Sequence, residues 1–289
     1  MMNRRMFLTG GAAASTLFLG TRCLSADPLG LPIGCQSYPV RKSISTDFAG
    51  TMKGLSAAGF TQIELCSPYG YDDFSSLRQY KPRELRRMLN DWGLGCISAH
   101  WSADELFQKT DESIAYAKEF GMTQMAIAAL GPWHPRTTET ADDVKRYVEP
   151  FNAFAEKAHA AGIVALLHNE GFVSEYIDGK PVYDMMIAEL NPATTKLQFQ
   201  VSTLQQGYDP VIYFKKYPGR FPSMHCQDWV KDPSTKSGFH QVALGKGVVD
   251  WKAVFTAAKT GGVKNYFVEL EEDPKLMPQS VPYLKSLKV

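Results

Sequence analysis

The chain has 289 residues, with 31 Lys and Arg against 30 Asp and Glu and a formal charge of +1. A balance this close to neutral does not suggest binding to nucleic acid or an anionic membrane surface, and the five cysteines contain no CxxC pair of the kind a cysteine zinc site uses. The length suits one large domain or two small ones.

The first element in chain order is an address. "NRRMFLTGG" carries Arg4 and Arg5, followed by "GGAAASTLFLG" and "LSA" ending at Ala26, the pattern of a twin-arginine signal peptide cleaved near Ala26. The apolar stretch is too short and too rich in Gly, Ala, Ser and Thr for a membrane anchor, and Arg22 before Cys23 does not suit lipid attachment. Residues 1–26 are therefore expected to be removed and 27–289 to form the working domain, in the periplasm or outside the cell. Losing Arg4, Arg5 and Arg22 takes the 31 basic residues to 28 against 30 acids, a charge of −2.

Beyond the signal, one device recurs. A helical pattern ends in Gly and an apolar strand follows at once, as in "LSAAGFTQIEL" (Gly59), "MLNDWGLGCISAH" (Gly93), "YAKEFGMTQMAIAAL" (Gly121), "KAHAAGIVALLH" (Gly162) and "AAKTGGVKNYFVEL" (Gly262). Glycine closes a helix because it takes the left-handed conformation without strain. Adding "PIGCQSY", "KLQFQVST" and "FPSMHCQD" predicts eight strands, starting near residues 32, 61, 96, 124, 163, 196, 221 and 266. Helical stretches such as "VYDMMIAELN" and "DPVIYFKKYPG" alternate with them. Eight β/α units predict an α/β fold, a single-domain (β/α)8 TIM barrel. A doubly wound sheet would want a Gly-rich dinucleotide loop after the first strand, and none is there. Cys35, Cys66, Cys96 and Cys226 lie in the strand-like runs and are expected as buried free thiols.

A barrel of this kind keeps its chemistry at the C-terminal strand ends. Those ends read Gln36 and Tyr38, Glu64, His100 and Trp101, then "GPWHPR" with Trp133 and His134. After these come His168 and Glu170, Gln200, His225 and Asp228, and Glu269 and Glu271. Period-two alternation puts His168 and Glu170 on one face, and likewise Glu269 and Glu271. Carboxylates and imidazoles converging in one place repel unless shared protons or a cation compensate. Glu and His together suit Mn²⁺, Mg²⁺ or Zn²⁺.

At these residues the chain resembles the xylose-isomerase-like TIM barrels, often labelled sugar phosphate isomerases/epimerases. "GFTQIEL", "ISAHW", "LLHNEGF", "GYDPVIYFKKYPGRFPSMHCQD", "LGKGVVDWKAVF" and "YFVELEED" carry the likeness, from about residue 32 to 289. The resemblance implies a divalent metal held by Glu, Asp, His and Glu from strands 5 to 8. Carried over, these are Glu170, Gln200, His225 and Glu269, with His168 as the other candidate on strand 5. Gln200 stands where the pattern has Asp, so the site loses one charge.

The resemblance further implies proton abstraction beside a carbonyl. Glu170 or Glu269 is the candidate base, with His168 and His100 as further acid–base groups. Gln36, Glu64, Trp101, Trp133, His134, Asp228 and Lys246 are candidate contacts for a neutral sugar or glycoside. Trp229 is a further aromatic at the same face. Export favours unphosphorylated substrates, because phosphorylated metabolites stay in the cytoplasm. Isomerisation or epimerisation of a sugar or keto-sugar is the leading reading. The alternatives are β-elimination from a keto-glycoside, a non-catalytic sugar binder with a decayed metal site, and a metal-dependent endonuclease, which near-neutral charge and export disfavour. Apolar helix faces leave room for a homodimer.

Overall fold

Eight parallel strands close into a barrel: β1 Gly34–Gln36, β2 Gln62–Cys66, β3 Gly95–His100, β4 Gln124–Ile127, β5 Val164–His168, β6 Thr195–Gln200, β7 Ser223–Cys226 and β8 Asn265–Val268. This computed structural model describes residues 28–131, 140–170 and 176–289. The expected signal segment 1–26, Trp133 and His134 lie outside the described residues. No strand starts more than two residues from its predicted position. Each strand pairs with its sequence neighbours, and β1 also pairs with β8, so the sheet has no open edge.

A helix follows each strand: α1 Phe48–Ala57, α2 Pro82–Asp91, α3 Thr110–Phe120, α4 Ala141–Ala160, α5 Val182–Glu189, α6 Pro210–Lys216, α7 Trp251–Gly261 and α8 Leu276–Ser286. Four of these helices start at side chains that satisfy orphan backbone donors. Asp47 accepts from Gly50 N, Thr140 and Asp143 form a capping box, Asp209 accepts from Val211 N, and Asp250 accepts from Ala253 N. The glycine rule holds where it was read. Gly121 and Gly262 end α3 and α7 at φ 90° and 88°, a conformation that strains any residue with a Cβ. The same hand recurs at Gly59, Gly93 and Gly162.

Alternation along the strands makes two interiors of different character. Outward residues feed an apolar layer beneath the helices. Phe199 packs edge-on against Phe214 of α6 at 5.4 Å, and Tyr266 against Phe255 of α7 at 5.0 Å. Each such ring contributes about 1.5–3 kcal/mol by leaving water. Inward residues are largely polar and buried: Gln36, Glu64, Ser98, His168, Gln198, Gln200, Ser223 and His225. Register sets Gln36 beside Glu64 and Glu64 beside Ser98, and on the adjacent strands β6 and β7 it sets Gln198 beside Ser223 and Gln200 beside His225. Cys35, Cys66, Cys96 and Cys226 are all buried and free, as expected.

The cap of α7 offers a clean test of the helix–glycine rule. A Cβ at Gly262 would meet nothing closer than 3.7 Å, so only the backbone conformation opposes it. Gly262→Ala is expected to cost about 1 kcal/mol, read as a lowered urea midpoint. An unchanged midpoint would mean that the cap relaxes freely.

Candidate active site at the barrel mouth

The lumen is organised around one carboxylate. Glu64, on β2, is fully buried. Its Oε2 accepts from His225 Nε2 at 2.6 Å and Gln36 Nε2 at 2.9 Å, with His100 Nε2 at 3.3 Å. Its Oε1 accepts from Ser98 Oγ at 2.6 Å and Gln198 Nε2 at 2.9 Å. Burial alone would raise this carboxyl, but His100 and His225 outweigh it and hold it well below the usual range.

One step nearer the mouth, His225 Nδ1 lies 3.0 Å from Glu269 Oε2. With both ring nitrogens on carboxylates, His225 donates twice, as only an imidazolium does. Burial would lower its pKa, yet Glu269 and Glu64 push it up to about 10. Glu269 Oε2 also accepts from Gln200 Nε2 at 2.7 Å and Gln227 Nε2 at 3.2 Å. Burial opposes ionisation of Glu269, but His225 overrides it and its pKa is lowered. His168 is different: burial, then the neighbouring His225 and His100, hold it well below the usual imidazole value. It is neutral, its Nδ1 has no partner among the described residues, and its ring centroid lies 4.4 Å from that of His225.

Above this network opens a cavity of about 260 Å³, lined by Gln36, Tyr38, Cys66, Tyr71, His100, Ala128, Glu170, Glu269 and Glu271. That is smaller than the roughly 300 Å³ at which pockets for drug-sized ligands begin, and so suits a small molecule. Two of its carboxylates behave oppositely to Glu269. Burial, then Glu269 and Glu271, raise Glu170 to about 8. Burial and Glu269 raise Glu271 to about 7. One mouth therefore holds an ionised carboxylate beside two that hold protons more tightly, the arrangement in which acid and base roles divide.

The fold brings Gln36, His100, Glu170 and Glu269 to the cavity, with His168, Gln200 and His225 among the buried groups beneath it. Four expectations are corrected. Trp101 is 1 % exposed and packs edge-on against Tyr116 of α3, because the residue after inward-facing His100 must face outward. Asp228 is fully buried, and its carboxylate accepts from Gly245 N, Gly247 N and Trp251 Nε1. It ties down the loop before α7 and does not face the cavity. Lys246 lies exposed on that loop, away from the lining. Glu64 points inward but sits too deep to touch a ligand, its oxygens taken by protein donors. Trp229, the further aromatic, is buried against Phe239.

Sequence reasoning placed Tyr38 and Glu271 at strand ends without giving either a role, and it passed over Gln198 and Tyr71. Tyr38 follows Gln36 by two residues, Glu271 follows Glu269 by two, and Gln198 precedes Gln200 by two, so the alternation already marked them. Tyr71 lies in the turn "SPYGYDD", where no periodicity points to it.

The residues present fit a divalent ion. Glu170 and Glu269 supply charge and His225 an imidazole. Gln200 Oε1 is a buried acceptor beside Glu269 without a partner among the described residues. Oxygen and imidazole donors together suit Mg²⁺, Mn²⁺ or Zn²⁺. Nitrogen atoms of His100, His168 and His225 also lie within 4.8 Å of one another, a second grouping able to hold a metal.

Comparison with known proteins agrees with this architecture. The family model described as xylose isomerase-like TIM barrel matches residues 53–287. Among solved structures, a sugar phosphate isomerase/epimerase from Parabacteroides distasonis is 23% identical, covering 88% of this chain and 93% of its own, with a TM-score of 0.69. An L-ribulose 3-epimerase is 18% identical, covering 89% of this chain and 86% of its own at a TM-score of 0.60. A xylose isomerase-like TIM barrel protein from Mycobacterium smegmatis in complex with magnesium is 14% identical, covering 90% and 97% at 0.61. At these identities the likeness establishes the fold. No curated protein matches the chain.

The role of Asp228 can be tested directly. Asp228→Ala strands buried donors in the loop and is expected to cost about 3 kcal/mol of stability by urea unfolding. A loss too small to measure would mean that the loop is held by other contacts.

Proposed function

Because the chain belongs to the xylose isomerase-like TIM barrel family, we propose that it is an enzyme that isomerises or epimerises a neutral sugar or keto-sugar by moving a proton beside a carbonyl. The observation that carries this reading is the small barrel-mouth cavity, where Glu170, Glu269 and Glu271 meet His100. Among the described residues its lining includes no Lys or Arg, which disfavours a phosphorylated substrate.

The chemistry divides by environment. Glu170, with its raised pKa, is the stronger base and takes the C–H proton, leaving an enolate. A proton delivered to the other face of the same carbon by a second acid gives the epimer; the proton on Glu170, delivered to the neighbouring carbon on its own face, gives the isomer. Glu269, kept ionised by His225, orients substrate hydroxyls. His100, anchored from below by Gln198 Oε1 at 2.8 Å, donates to the developing oxyanion. Tyr38 and Tyr71, edge to face with centroids 6.3 Å apart, form an apolar wall against the sugar ring. A divalent ion held by Glu170, Gln200, His225 and Glu269 would polarise the substrate oxygen.

The test is deuterium exchange. Neutral ketoses and keto-sugars are incubated with the protein and Mn²⁺ in D₂O, and label beside the carbonyl is followed by NMR. Exchange with at least one of them is expected, and Glu170→Gln should slow it roughly 10²–10⁴-fold. A Glu170→Gln protein that exchanges as fast as wild type would remove Glu170 from the chemistry, and no exchange with any neutral sugar would sink the reading.

We further propose that residues 1–26 export the folded protein to the periplasm or beyond. Arg4→Lys combined with Arg5→Lys should retain it in the cytoplasm with its N-terminus uncleaved, as read by fractionation and mass spectrometry. Undiminished export of the double variant would exclude the twin-arginine route.

A further inference from the structure

The lumen holds one charged group that the proposed chemistry does not use, and its contacts are too specific for filler. A buried carboxylate needs only enough donors to offset its desolvation. Glu64 divides its donors by oxygen. Oε1 is held by Ser98 Oγ and Gln198 Nε2, which pin the carboxylate to the barrel wall. Oε2 takes His225 Nε2 at 2.6 Å, with His100 Nε2 at 3.3 Å. Gln198 completes the clamp, since its Oε1 meets the same His100 nitrogen at 2.8 Å. The His100 and His225 rings stack at 5.2 Å with 17° between their planes.

We propose that Glu64 is a positioning residue that fixes the ring orientation of His225 by holding its Nε2–H, so that Nδ1 is the nitrogen presented beside Glu269. Resting on the function proposed above, this makes Nδ1, once an arriving ion displaces its proton, the atom offered to a divalent ion. An imidazole whose second nitrogen is held by a carboxylate is oriented and made a stronger ligand. Glu64 does this from β2 while touching neither substrate nor ion, and its one carboxylate serves both His225 and the cavity-lining His100.

The test uses the full chain in two measurements. In ¹⁵N-edited NMR of the metal-free protein, the Nε2 proton of His225 should resonate far downfield, as a short hydrogen bond to a carboxylate requires, and Glu64→Gln should move it upfield. In calorimetry, Glu64→Gln should weaken Mn²⁺ binding roughly 10–100-fold. Ser98→Ala removes one of two hydrogen bonds from the other oxygen, which Gln198 Nε2 still holds, and is the control for general loosening. It should leave Mn²⁺ affinity within about twofold and the His225 signal in place. Should Glu64→Gln fail to fold, Glu64→Asp draws the carboxylate back and reads the same two signals. An unmoved His225 signal in a folded Glu64 variant overturns the inference, and so does a Ser98→Ala protein that loses Mn²⁺ as severely as Glu64→Gln. A wild-type protein that takes up no Mn²⁺ at micromolar concentration overturns the ion assignment alone, because the NMR result still decides what Glu64 does.

Discussion

The constraint on which this structure depends is the burial of an ionised carboxylate in the middle of a barrel. Glu64 has no exposed surface, and an isolated charge there would cost many times the stability of a domain. The fold meets that cost with five donors from four strands: Gln36 on β1, Ser98 and His100 on β3, Gln198 on β6 and His225 on β7. A barrel interior is usually filled by branched apolar side chains. Here the apolar packing is moved outward, to the layer between strands and helices, and the lumen becomes a hydrogen-bonded network. Such a network is rigid only when it is complete, so the register that places Gln36, Glu64 and Ser98 side by side is itself a condition of the chemistry above.

From that anchor, charge is ordered along the barrel axis. Glu64 and Glu269 are both ionised, and His225 between them carries the compensating proton. Higher still, Glu170 and Glu271 feel Glu269 without an equal cation beside them, and both hold their protons more tightly than free carboxylates do. Depth therefore sorts chemically similar groups into different roles. The deepest carboxylate is structural, the middle one is a fixed anion, and the outer ones exchange protons near neutrality. His168 adds a neutral ring that packs against His225 without competing for its hydrogen bonds.

The fold was legible because its signals are local. Glycine at the helix ends and apolar runs after it placed every strand within two residues, since both depend on backbone conformation and burial and not on distant partners. The site was legible only in one of its two coordinates. Alternation tells which side chains face the lumen, and it correctly pairs Glu269 with Glu271 and Gln198 with Gln200. Applied strictly it also excludes Trp101, the neighbour of His100, and Asp228, the neighbour of Gln227. Those two were misjudged by weighing residue type above phase. Depth is the second coordinate, and it depends on how far each strand is staggered against its neighbours. Glu64 has the right phase and the wrong height, and only the closed sheet shows that it lies beneath the cavity-lining Gln36 and His100, which touch it, and does not line the cavity itself.

The same reasoning bears on Gln200. An amide in place of a carboxylate lowers the negative charge beside Glu269, and its N–H makes a hydrogen bond to that carboxylate that Asp could not. With Gln227 on the same oxygen, Glu269 is held from two sides before any ligand arrives. An ion bound here would meet a less negative and more rigid set of donors than a set with a third carboxylate would offer. Rigidity favours ions that tolerate the preset geometry, while lower charge weakens the general attraction for every cation. The substitution therefore trades affinity for preorganisation. That trade is coherent only if the imidazole opposite is equally well fixed, which returns the argument to the carboxylate at the centre of the barrel.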